Sequence, residues 1–158
     1  MSITRTLRQL TYTIFALVIL SLSSAAYAAC VDSVVLVHGN SGSASDWSNT
    51  KSLLLNKGYA NAQIHTPEWG SKYCGGVCND HSGSEEIPVR NAINSAIASS
   101  CTGKIDVIGH SMGVTLAMQQ ILKLGVAHKV DSFVGVAGAV RGLNSCGTYP
   151  YNVRSTTC

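Results

Sequence analysis

Several things are missing from this chain, and each absence narrows what it can be. Its 158 residues carry a formal net charge of only +3. They hold no basic cluster and no interleaving of basic and aromatic side chains, which excludes nucleic acid as an expected partner. No apolar stretch reaches the ~20 residues needed to cross a bilayer, so no stable membrane span is expected. The best candidate, Tyr12 to Leu22, is too short. No internal repeat or low-complexity tract is present. Cys74-x-x-x-Cys78 has His81 close by but no second Cys/His pair of matching spacing, so no metal is expected. Beyond Ser111 the chain contains one carboxylate side chain, Asp131, and one histidine, His128.

What is present begins with an export signature. Arg5 and Arg8 precede the apolar run, and Ala26-Tyr27-Ala28 offers small residues at the two positions a signal peptidase reads. Residues 1–28 are therefore expected to be a cleaved signal peptide, leaving a secreted or periplasmic domain over residues 29–158. A lipid-anchored variant through Cys30 is disfavoured because Tyr27 stands where such signals usually carry leucine. All six cysteines follow the cleavage point. An even number in an exported chain points to disulfides, and local bridges Cys74–Cys78 and Cys146–Cys158 are expected.

The remaining chain alternates extended and helical patterns. Ser33 to His38 is a continuous apolar run of the kind covered on both faces. A polar loop, Gly39 to Ser43, leads to a helix over about Ser45 to Asn56, with Trp47, Leu54 and Leu55 facing inward. Ala62 to His65 is a short strand, and Thr66 to Gly83 a long surface loop. Ser84 is expected to cap the next helix, with Glu85 and Glu86 at its positive end and Ile87, Ala92, Ile93, Ala96 and Ile97 as its buried stripe. Lys104 to Ile108 is the third strand, a helix runs from Val114 to Leu124 with Gly125 as its stop, and Lys129 to Val136 is the fourth strand. Alternation of this kind predicts an α/β fold, a three-layer sandwich built on a parallel sheet.

Gly109-His110-Ser111-Met112-Gly113 lies at the junction of the third strand and its helix. Alone the pattern is weak, since a glycine-rich connection between a buried strand and helix would look similar. In this context it predicts a nucleophile elbow, with Ser111 held clear of the sheet by its flanking glycines. The oxyanion donors are expected to be the backbone N–H groups of Met112 and of Asn40, in the loop after the first strand. A base and an acid are harder to find. Asp131 and His128 sit at the entry of the fourth strand, roughly 20 Å from a site at the strand exits, and are rejected. His38 is closer, with a structural role in holding the oxyanion loop. His65, His81 and His110 have no convincing acid partner. Trp69 and Tyr73 are candidates to line an acyl or polymer site.

Val34 to Asn40, Val107 to Val114 and Val134 to Leu143 resemble small secreted α/β-hydrolases, above all class 2 lipases and extracellular polyhydroxyalkanoate depolymerases. The resemblance implies a minimal α/β-hydrolase fold in which Ser111 attacks lipid or polyester esters through an acyl-enzyme, without a cofactor. It also implies two further strands, followed by the catalytic acid and histidine. Neither is found after Ser111 in a usable place, so the expectation is a chain with the last strands missing: a secreted carboxylic-ester hydrolase or its inactive, truncated copy. Two other readings compete with it. One is a non-catalytic module of the same scaffold that binds acyl chains or a protein partner. The other is a disulfide-stabilised surface protein with an incidental serine motif.

Overall fold

The computed structural model describes residues 30–73, 79, 81 and 83–141. The expected signal segment, the bridges Cys74–Cys78 and Cys146–Cys158, and the stretch Gly142-Leu143 lie outside the described residues. Four strands, β1 (Ser33–Val37), β2 (Ile64–His65), β3 (Ile105–His110) and β4 (Val130–Val136), form one parallel sheet in the order β2-β1-β3-β4. Among the described residues three α-helices accompany them: α1 (Ser48–Asn56), α2 (Glu86–Ser99) and α3 (Met112–Leu124). None of the described helices is long and apolar enough to cross a membrane.

The alternation of β1 explains the layers. Val35 and Val37 point to one face and join Ile105, Val107 and the inward stripes of α2 and α3 in the main core. Val34 and Leu36 point to the other face, where Trp47 and Leu54 pack with Ile64 and Tyr59. Both faces are covered, and all five β1 residues are buried. The fold is the α/β three-layer arrangement that the alternation predicted. Cys30 and Cys101 form a disulfide with Cα atoms 5.4 Å apart, joining the approaches to β1 and β3.

Several local expectations need correction. Ser84 does not cap α2; it lies in a 3-10 turn, Gly83–Glu85, and Glu85 occupies the cap position without a side-chain cap bond. Ile87 is 52% exposed, because the inward stripe runs through Glu86, Val89, Ile93 and Ala96 at helical spacing, with Ala92 and Ile97 partly buried beside it. Leu55 likewise faces outward. Glu86 is buried, yet it is ion-paired with Arg90 of its own helix at 2.8 Å and with Lys123 of α3. The Lys123 ammonium bonded to it holds its carboxyl below the ordinary range, against the opposing effect of burial. The pair ties α2 to α3.

Candidate active site

β1 leads to β2 on one side of the sheet and, in space, neighbours β3 on the other, so the chain changes direction between β1 and β3. In parallel sheets the crevice at such a reversal, at the strands' C-terminal ends, is where ligands bind. Two loops meet there. Gly39 directly follows His38 at the exit of β1, and Ser111 joins β3 to α3.

Ser111 has φ 52° and ψ −126°, a conformation that costs a non-glycine residue on the order of 1–3 kcal/mol. It is held by its neighbours: its N–H donates to the Val136 carbonyl at the end of β4 (2.9 Å), and its carbonyl accepts from Val114 (3.1 Å). Close approach of backbones accounts for the surrounding glycines. A Cβ on Gly109 would lie 2.8 Å from Val114 Cα, where α3 passes back over β3. One on Gly113 would lie within 2.5 Å of the Val37 carbonyl oxygen and nearer still to that of His38. One on Gly39 would meet His110 Nδ1 at 2.9 Å and Ser111 Cβ at 3.0 Å. The motif glycines thus seat α3 on the sheet as well as clearing the serine.

The loop after β1 is braced from behind. His38 is buried; its ring bonds the Gly39 carbonyl through Nδ1 (2.8 Å) and accepts the Trp69 N–H at Nε2 (3.3 Å). Those two contacts assign the neutral ring with its proton on Nδ1. Glu68, 3.7 Å from Nε2, is beyond hydrogen-bond range and instead accepts the Ala44 N–H at 2.8 Å. The Trp69 indole N–H donates to the His38 carbonyl (2.9 Å), and the two rings stack 5.4 Å apart. His38 therefore plays the structural part expected of it.

Asn40, next in the loop, is fastened by its side chain: Asn79 Nδ2 donates to Asn40 Oδ1. Asn79 is itself buried and accepts the Ser71 N–H at 2.8 Å. A cleft of about 370 Å³ opens beside the junction, lined by His38, Asp46, Trp47, His110 and Val136.

The other predicted residues fall as follows. Asp131 and His128 are exposed at the entry of β4, the end opposite Ser111. His65 bonds Ser99 at the end of α2 (3.0 Å), and burial pushes its pKa down. Tyr73 is fully exposed; Trp69 is only 4% exposed and belongs to the core, and its remaining edge borders an open cleft of about 710 Å³ with Glu68, Asn79 and Pro88. The segment Thr66 to Gly83 is correspondingly not a surface loop throughout: Trp69, Asn79 and His81 are buried in it. Nothing in the periodicity marks these three residues; the only hint is an aromatic and an imidazole inside a glycine-rich stretch. Among the described residues no histidine hydrogen-bonds the Ser111 hydroxyl.

Carboxylate oxygens of Asp32, Asp106 and Asp131 gather within 4.8 Å of one another at the strand entries. Thr102 donates to Asp32 and Lys104 pairs with Asp131 (3.4 Å), so this is a solvated acidic patch.

Against this geometry, the model of the class 2 lipase family matches residues 32–158. The chain belongs to the class 2 lipase family. The family is one of carboxylic-ester hydrolases. Among solved structures, it is similar to a pyrethroid hydrolase from Sphingobium faniae JZ-2, at 19% identity and a TM-score of 0.51, over 71% of this chain and 42% of that one. It is also similar to polyneuridine aldehyde esterase, at 20% identity and a TM-score of 0.54, over 81% of this chain and 48% of the esterase. At these identities the likeness establishes the α/β-hydrolase fold. The chain spans less than half the length of these structures. No curated protein matches it in sequence.

Proposed function

We propose that this class 2 lipase-family chain carries the nucleophile of an exported serine hydrolase acting on lipid or polyester esters. Ser111 Oγ attacks the ester carbonyl. The negative charge developing on the carbonyl oxygen is met by the backbone N–H groups of Met112 and Asn40, the alcohol leaves, and the acyl-enzyme is released by water. The observation that carries the reading is the strained φ of 52° at Ser111, on the first residue before a 13-residue helix and against Gly39 of the facing loop. Strain of this kind persists only where surrounding structure enforces it. Export is supported by the Cys30–Cys101 disulfide, a bond that persists in oxidising compartments.

One observation favours the second reading, a non-catalytic module that binds acyl chains. Both ring nitrogens of His38 are occupied, and no described histidine takes the place of a base at Ser111. A serine without its base and acid retains on the order of 10³–10⁴ over water from the oxyanion hole and binding. The expected result with a fluorophosphonate probe is slow labelling confined to Ser111 and abolished by Ser111→Ala, with ester turnover by the 158-residue chain near background. Labelling that survives the substitution would remove Ser111 from the site; rapid turnover would show that one of the five histidines acts as base after all.

A further inference from the structure

His81 has no part in that chemistry, yet it is held in a costly way. It is 4% exposed, has φ 62°, and its backbone N–H is fixed by Glu85 Oε2 at 2.8 Å. Its Nε2 lies 2.9 Å from Thr115 Oγ1 and 3.1 Å from the Met112 carbonyl oxygen, in the first turn of α3. Thr115 Oγ1 is also 3.0 Å from that carbonyl. His81 Nδ1 is buried without a partner among the described residues.

Chemistry and distance together assign the protons among these contacts. The Met112 carbonyl can only accept, and it accepts the single Thr115 hydroxyl proton at 3.0 Å. His81 Nε2–H then goes to the Thr115 oxygen, the nearer of its two acceptors at 2.9 Å against 3.1 Å for the carbonyl. Nδ1 is left as a bare lone pair, whereas a proton there would be a buried donor with nothing to bond. The His81 ring also stacks on Trp69, with centroids 6.4 Å apart, and Trp69 stacks on His38. One aromatic support therefore reaches both loops at the crevice: through His38 to the Gly39 carbonyl, and through His81 to the Met112 carbonyl.

We propose that His81 and Thr115 are positioning residues, a relay from Nε2–H to hydroxyl to the Met112 carbonyl that fixes the first turn of α3 and the placement of the Met112 amide. The role of that amide rests on the hydrolase reading above; the relay itself does not.

The test uses the full chain, isotopically labelled, as wild type and as His81→Leu, His81→Gln and Thr115→Val. Gln places an N–H where the imidazole has Nε2; Leu and Val do not. Nitrogen spectra of the wild-type ring are expected to show a neutral His81 protonated on Nε2. The Met112 amide resonance should move in His81→Leu and Thr115→Val and return in His81→Gln. Phosphonate labelling of Ser111 should slow about tenfold in the first two variants, at an unchanged half-saturating probe concentration, and recover in the third. A ring protonated on Nδ1, a Met112 resonance indifferent to all three changes, or a His81→Gln as slow as His81→Leu would overturn the relay. If wild-type Ser111 does not label at all, the hydrolase reading fails while the ring proton and the Met112 resonance still decide the relay. Should His81→Leu not fold, Thr115→Val and the wild-type ring carry the decision.

Discussion

β1 and β4 are both apolar, both pair in parallel with β3, and they end in opposite circumstances. Every residue of β1 is buried, whereas in β4 Val134 and Val136 are 47% and 46% exposed. Only Phe133 and Val130 reach the main core from β4. The strings Val-Val-Leu-Val and Phe-Val-Gly-Val differ little as strand formers. What separates them is place: β1 has a strand on each side and helices on both faces, and β4 is the outer strand of the described sheet. Burial here follows from position in the sheet, and the apolar sequence permits it without assigning it.

Substitutions can break or sharpen that contrast. The largest effect is expected inside β1. Leu36→Ala should cost about 2–5 kcal/mol in denaturant unfolding, since Leu36 is fully buried against Ile64 and Trp47. A loss under about 1 kcal/mol would mean that the face covered by α1 is loosely packed. At the other end of the contrast, where the close of β4 holds the elbow, Ser111→Gly should relieve the φ of 52° and raise stability by about 1 kcal/mol while abolishing probe labelling. Unchanged stability would show that the conformation is not strained.

A smaller effect is expected at the strand entries, where Asp106 of β3 sits between Asp32 before β1 and Asp131 in β4. Burial first, and then the two neighbouring carboxylates, push its pKa above the ordinary value. A raised carboxyl pKa means that the folded state holds the proton more tightly than the unfolded one. Its contribution is therefore present below the ordinary carboxylate range and lost as pH rises through the folded value. Asp106→Asn should consequently raise the melting temperature at neutral pH, by a gain of under ~1 kcal/mol that vanishes on acidification below the carboxylate range. A variant less stable than wild type at neutral pH would contradict the sign. Least of all, Val134→Thr in β4 should stay within about 0.5 kcal/mol in the same unfolding assay; a loss like that of Leu36→Ala would place β4 in a covered environment.

The same contrast explains what could be read in advance. β1, the strand–turn–helix around Ser111 and the α/β class follow from local pattern: a doubly apolar run, a change of period from 2 to 3.6, and glycines at the junction. The structural role of His38 was legible as well, because its neighbours in sequence form the loop it holds. Ile87, Leu55 and Ser84 differ from expectation by a residue or two of helical phase, which periodicity defines poorly at helix ends, where all three lie. Trp69, Asn79 and His81 were beyond reach for a different reason. They lie in a segment without repeat, and their burial arises from contacts with Asn40, His38 and Thr115 that are 31 to 39 positions distant in the chain.

The Cys30–Cys101 bond bridges 71 positions, and the fully exposed Tyr73 falls inside that span. A protease that cleaves beside Tyr73 thus produces two polypeptides that still travel as one species on a gel, and separate only when a reductant is added. The strand that ends at the crevice and the strand that carries the elbow remain covalently tethered after such a nick.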